Sequence, residues 1–224
     1  MNNLDLYRII SLSNKNIMAR ITFSFFLLTL LYTTNLFSQD KTVPVEPSET
    51  WANNQHQPEK LMDAIGLKEG MTIADIGAGR GRMTVFFSVR VGEKGKVFAN
   101  EIDESALQYL KERCKRNNME NVKTFLGTVD SPLLPAGEVD IAFMLLTYHH
   151  LEKPVNMLKH TIPCLKKDGV LIIVEHDPVK SGESGREVTS LDKLKRESKE
   201  AGFEITKINS ELLDKDNIYF LKVK

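Results

Sequence analysis

Residues 72–81 read Thr72-Ile-Ala-Asp-Ile-Gly-Ala-Gly-Arg-Gly81, a short apolar run that empties into three alternating glycines. Thr72–Ile76 has the length and composition of a strand covered on both faces, and a helical pattern opens at Arg82. Strand, glycine turn and helix in succession make a ligand-binding corner. The glycines leave bare backbone that a ligand can approach, and the helix start offers N–H groups and positive potential. A dinucleotide fingerprint wants glycine at the first, third and sixth places. Here the sixth place is Arg82, and the last glycine, Gly81, comes one early. Asp75, two residues before Gly77, is unfavourable to a pyrophosphate and suits a ligand bearing an ammonium group. Spacing and charge together favour a zwitterionic nucleoside over NAD.

Outward from this corner, two periods alternate along the chain. Helical patterns cover Pro58–Leu67, Arg82–Val89, Ser105–Lys115, a stretch begun at Pro154 with Val155, Leu158, Ile162 and Leu165 on one face, and Leu191–Ala201. Strand patterns cover Lys96–Asn100, Val122–Leu126, Val139–Leu145, Val170–Val174, Phe203–Ile208 and Ile218–Val223. Strands alternating with helices of about ten residues predict right-handed βαβ units. The fold class is therefore α/β, a doubly wound, mostly parallel seven-stranded sheet. The last two strands lack a helix between them, so they should pair antiparallel at one edge.

The chain has 224 residues, 30 basic and 30 acidic, enough for one ordinary domain. Its first forty residues stand apart. Arg8, Lys15 and Arg20 precede an uncharged run, Ile21–Gln39, richest in Phe and Leu over Phe23–Leu31. This is the layout of a signal peptide, with Ser38 at the cleavage site and Leu36 where a small residue is preferred. An uncleaved membrane anchor and a mis-called start, with Met18 as the initiator, are the other two readings. The domain plan is residues 1–38 as signal or anchor, 39–57 as a linker leading into the fold, and 58–224 as the folded domain. Location follows from the same segment: exported or membrane-anchored, and cytoplasmic only if the start is mis-called. Membrane contact is expected only if residues 21–39 stay as an anchor. Without residues 1–38 there remain 27 basic against 29 acidic residues, so no nucleic acid partner is expected. Cys114 and Cys164 have no CxxC spacing and read as lone buried thiols.

The motif Asp75-Ile-Gly-Ala-Gly-Arg-Gly81 resembles the first motif of class I S-adenosylmethionine-dependent methyltransferases, and the resemblance runs over about residues 51–224. In that family the loop wraps the amino-acid end and ribose of the cofactor, which implies contacts from Asp75, Gly77, Ala78, Gly79 and Gly81. Glu101 ends the second strand in Val97-Phe-Ala-Asn-Glu-Ile-Asp103. A carboxylate there can accept bonds from both ribose hydroxyls, and Ile102 would stack on the adenine. Taken singly, Asp75 could cap the helix and Glu101 could be a solvated strand-end charge. Gly127-Thr128 stands where the family usually has Gly-Asp, so the adenine amino contact falls to Thr128 or to Asp130. Trp51 and Gln57-Pro58 resemble a poorly characterised branch of the same family.

Ligands of open parallel sheets lie beyond the carboxyl ends of the strands. The fourth strand ends in Leu146-Thr-Tyr-His-His150 and the fifth in Glu175-His-Asp-Pro178. The catalytic candidates are Tyr148, positioning the acceptor, and His149 or His150 as a base, needed only if the acceptor must lose a proton. The plain alternative has one His capping the next helix and Tyr148 packing on the sheet. His149, His150, Glu175, His176 and Asp177 have ligand chemistry, but neighbours along a strand point oppositely, and no metal is expected. The expected cofactor is S-adenosylmethionine and the expected partner a small-molecule methyl acceptor, with oligomeric state unread. The rivals are an exported binding module without catalysis and an NAD(P)-dependent oxidoreductase.

Overall fold

The computed structural model describes residues 42–182 and 188–224, and the leader assigned to residues 1–38 lies outside them. Among the described residues no helix is long and apolar enough to cross a membrane. Seven strands, β1 (Thr72–Ile76), β2 (Lys96–Glu101), β3 (Val122–Leu126), β4 (Val139–Leu145), β5 (Leu165–His176), β6 (Phe203–Asn209) and β7 (Asp216–Val223), make one sheet. Their spatial order is β3-β2-β1-β4-β5-β7-β6. The first four contacts in that order are parallel, and β7 is antiparallel to both β5 and β6.

The expected antiparallel pairing is present, with one refinement. The reversed strand β7 sits one place inside the edge, and β6 forms the edge itself. Burial explains the order. Ile218, Tyr219 and Leu221 of β7 are almost wholly buried, while β6 exposes Glu204, Thr206 and Lys207. A strand apolar on both faces gains by lying between neighbours, and a charged one blunts an edge.

Side-chain parity divides each strand between two helical layers. One layer packs α2 (Pro58–Ala64) and α3 (Arg82–Val91) on Ile73, Val97, Ile141, Phe143 and Ile172. The other packs α5 (Pro154–Thr161) and α7 (Leu191–Ala201) on Ala74, Ile76, Ala142, Met144 and Ile173. Between the pleats of β2, α4 (Glu104–Arg116) adds Leu110 and Cys114 against Ala99. A further turn, α6 (Pro178–Ser181), follows β5, capped by Asp177. Cys114 and Cys164 are both buried and unbridged. Residues 50–56, expected within a linker, form a helix of their own, α1 (Thr50–His56), which ends at Gln57 with φ 44° before Pro58 restarts the chain as α2.

Candidate functional site

The glycine loop is pinned to the end of β2. Gly77 N and Ala78 N both donate to Asn100 O, at 3.0 and 2.9 Å. Gly79 N donates to Glu101 Oε2 at 2.8 Å, and Glu101 Oε1 accepts from Ile102 N and Asp103 N at 2.7 and 3.0 Å. Three backbone donors fix this carboxylate, yet a carboxylate offers about four acceptor positions, and Oε2 has used only one of its two. Space above Gly79 is open: a Cβ built there meets nothing within 4 Å. Gly77 differs, because a Cβ there would run into the Thr147 side chain, so Thr147 closes the loop from above.

A cavity of about 280 Å³ opens between these ends, close to the ~300 Å³ lower end of ligand clefts. Gly77, Glu101, Ile102, Thr128 and Val129 line one side, and Leu146, Thr147, His150, Leu151 and Met157 the other. Ile102 and Val129 stand 54% and 38% exposed there, two apolar faces suited to the flat faces of a base. Thr128 Oγ1 donates to Asp130 Oδ1 at 2.9 Å. Of that pair, Thr128 lines the cavity and Asp130 does not.

Asp75 lies elsewhere. It shares the parity of Ile73, so it points under α3, is 3% exposed, and accepts a bond from Thr84 Oγ1 at 2.7 Å. Burial pushes its carboxyl up to about 6. Gly81 faces Leu110 and starts α3 with φ 88°; its task is the turn, and the open backbone is that of Gly79.

After β4 the chain changes direction at Leu146, a non-glycine residue at φ 52°. This left-handed step throws Tyr148–His150 into a 3-10 turn, so strand alternation no longer governs where they point. Tyr148 is 1% exposed among the α5 and α7 side chains, and its hydroxyl donates to Glu197 Oε2 at 2.7 Å. Burial first, then Glu197, holds that phenol far above the usual tyrosine range. The acceptor-positioning role expected for Tyr148 therefore meets a side chain turned away from the cavity. Glu175, wholly buried on β5, receives Tyr148 N at 2.9 Å and faces His149 Nδ1 at 2.7 Å. His150 lies tilted against His149, with ring centroids 4.0 Å apart and an interplanar angle of 52°, and lines the cavity. Of the three candidates, His150 reaches the cavity directly. His176 Nδ1 is 2.6 Å from Asp216 Oδ1, and Asp177 caps α6. Among the described residues no three such side chains are arranged to hold a metal ion.

Comparison with known proteins meets this geometry. A family model described as a methyltransferase domain matches residues 67–219. The chain belongs to the class I S-adenosylmethionine-dependent methyltransferases. A solved S-adenosylmethionine-dependent methyltransferase from Aquifex aeolicus superposes with a TM-score of 0.72 at 28% identity, over 80% of this chain and 94% of that one. The ubiquinone/menaquinone biosynthesis C-methyltransferase of Escherichia fergusonii is 30% identical over 118 residues, 51% of this chain and 46% of that protein. The chain thus spans about half the length of the curated relatives it matches. Geranyl diphosphate C-methyltransferase from Streptomyces coelicolor A3(2), with a TM-score of 0.61 at 15% identity over 76% of this chain and 79% of that one, shares the fold.

The methyltransferase cofactor fits the residues present. Open backbone at Gly79 beside Glu101, the spare acceptor position on Glu101, and the exposed apolar pair Ile102 and Val129 lining the cavity suit the ribose and purine of that cofactor. The reading from sequence did not single out Asn100 or Val129, and it quoted Leu146 and Thr147 only as part of the cluster ending the fourth strand. Asn100 carried a faint signal: it is a polar residue inside an apolar strand, and its Nδ2 donates to Pro132 O at 3.0 Å, tying down the loop that bears Thr128. Gly127 follows from it, since a Cβ there would strike the same amide.

Proposed function

We propose that the protein binds S-adenosylmethionine along Gly77–Glu101–Thr128 and moves its methyl group to a small-molecule acceptor. The single observation that carries this is Glu101, a carboxylate fixed by three backbone N–H groups with acceptor capacity left at the cavity wall. The cofactor supplies an electrophilic methyl on a sulfonium, so the protein's task is alignment and exclusion of water. Glu101 takes the ribose hydroxyls, Ile102 and Val129 enclose the base, and Thr128 offers its edge a polar contact. Thr147 and Leu146 shape the wall nearest the glycine loop. His150 takes the proton of an acceptor that must lose one. His149, held on buried Glu175, fixes the turn that carries it.

The uncharged run Ile21–Gln39 supports export or membrane attachment of this domain. The site is tested by calorimetry of the full chain with S-adenosylhomocysteine. Glu101→Ala removes charge-assisted bonds each worth about 1.5–3 kcal/mol, so affinity should fall at least about 10-fold. Unchanged affinity would sink the assignment.

A further inference from the structure

The stretch Thr42–His56 carries a surface that no step proposed above uses. Its carboxylates are Glu46 and Glu49, and both are spent on α4. Glu49 accepts from Arg113 at 2.6 and 2.8 Å, while Glu46 accepts from the Tyr109 hydroxyl and lies 3.8 Å from Arg113 Nε. His56 is buried against Asp216. What the stretch leaves fully exposed is uncharged, Val45, Pro47, Thr50, Trp51 and Asn54 among it. Trp51 is 69% exposed and Val45 41%. An indole left that far in water is a large apolar area with a polar N–H handle, suited to a boundary between water and an apolar phase.

Two further observations say what covers this surface. Arg80 and Arg116 are exposed, with their guanidiniums 3.7 and 5.7 Å from the centre of the Tyr109 ring. Because the Tyr109 hydroxyl bonds Glu46, both cations stand by the Val45–Glu46 corner. Exposed tryptophan on an uncharged surface with arginines at its border suits a lipid interface, the indole at headgroup level and the cations on phosphates. The chain's own path adds the second point. The uncharged run Ile21–Gln39 ends three residues before Thr42. A bilayer that holds this run therefore has Thr42 within about 10 Å of it, at roughly 3.3–3.6 Å per residue. We propose that the face bearing Val45 and Trp51, bordered by Arg80 and Arg116, docks on an anionic lipid bilayer. The inference rests on the membrane-attachment reading of residues 21–39 and is independent of the cofactor. A bilayer suits the face better than a protein partner does. Two apolar side chains fall far short of the about 800 Å² per partner that a stable protein interface covers, whereas a tethered domain needs little contact to stay down.

Trp51 is the sole tryptophan of the chain, so its fluorescence reports this face alone. The full chain is mixed with vesicles of phosphatidylcholine and phosphatidylglycerol, with and without bromine on the acyl chains, and sedimented. Docking predicts that the bound protein emits at shorter wavelength, is quenched by the brominated lipid and is shielded from acrylamide in the water. Val45→Glu puts a charge on the face at an exposed position. It should abolish the bromine quenching and restore acrylamide access while the chain still sediments. Wild type that sediments with all three signals as in the free chain overturns the docking face and leaves membrane attachment standing. Val45→Glu quenched as strongly as wild type overturns it too, since the contact would then lie elsewhere. Protein that stays in the supernatant overturns the attachment reading and the docking face together.

Discussion

At the residue scale, Asp75 shows how one side chain can be needed by the turn without touching the ligand. Its folded carboxyl titrates near 6, against 3.8 for an unperturbed one, because burial opposes the charge more than Thr84 favours it. Between those two values the folded protein holds more protons than the unfolded chain. Stability contributed here is present below about pH 4 and falls as pH rises through 6, by about 3 kcal/mol in all. Asp75→Asn keeps the shape and the Thr84 bond but cannot ionise. Its stability relative to wild type should therefore improve by about 3 kcal/mol between pH 4 and pH 7.5, measured by urea unfolding at both. A difference that stays constant with pH would refute the buried-carboxylate account. The variant should also keep its affinity for S-adenosylhomocysteine, since the side chain lies under α3.

At the element scale, what was legible followed periodicity, and what was not followed changes of direction. The β1–loop–α3 corner could be read because Thr72–Ile76 is apolar enough to be buried throughout and the apolar Met83–Val91 run follows directly after the glycines. Glu101 and Ile102 could be read because a strand end fixes what comes next. For Tyr148 two readings stood open, acceptor contact or packing on the sheet, and the structure takes the second because one left-handed residue, Leu146, resets the geometry after β4. The place of β7 inside the edge depends on competition between two strands, which neither run states alone. Residues 39–57 were read as a linker because they are polar, yet from residue 42 on buried polar ties hold the segment. Arg113 of α4 is 1% exposed, reaches Glu49 with both terminal nitrogens at 2.6 and 2.8 Å, and donates to Pro44 O at 2.9 Å. Tyr109 adds a bond to Glu46. Removing Glu49 leaves the buried guanidinium only the more distant Glu46, at 3.8 Å, so the cost approaches the about 3–5 kcal/mol of a broken buried pair. Glu49→Gln should lower stability by that order and speed amide exchange across Val43–His56. Exchange unaltered there, with stability unchanged, would show that α1 is held by something else.

At the scale of the whole molecule, the sheet order places the strand ends β2, β1 and β4 side by side, and each contributes to the one cavity described. Glu101, Gly77 and Thr147 come from three separate βα connections, so the site exists only when the three strands are in register. Ligand binding should therefore stabilise the entire fold and not a local loop. With S-adenosylhomocysteine at about 100 times its Kd, linkage gives ~2.7 kcal/mol. For a domain of this size that corresponds to a rise of roughly 5–10 °C in Tm. Every residue of the cavity and of the three core clusters falls within residues 43–224. A chain reduced to residues 42–224 should therefore show the same thermal shift as the full chain, in a single transition, read by scanning calorimetry. A shift confined to the full chain would mean that residues 1–41 complete the site. A shifted minor transition beside an unshifted major one would mean that the strand ends do not act as one binding unit.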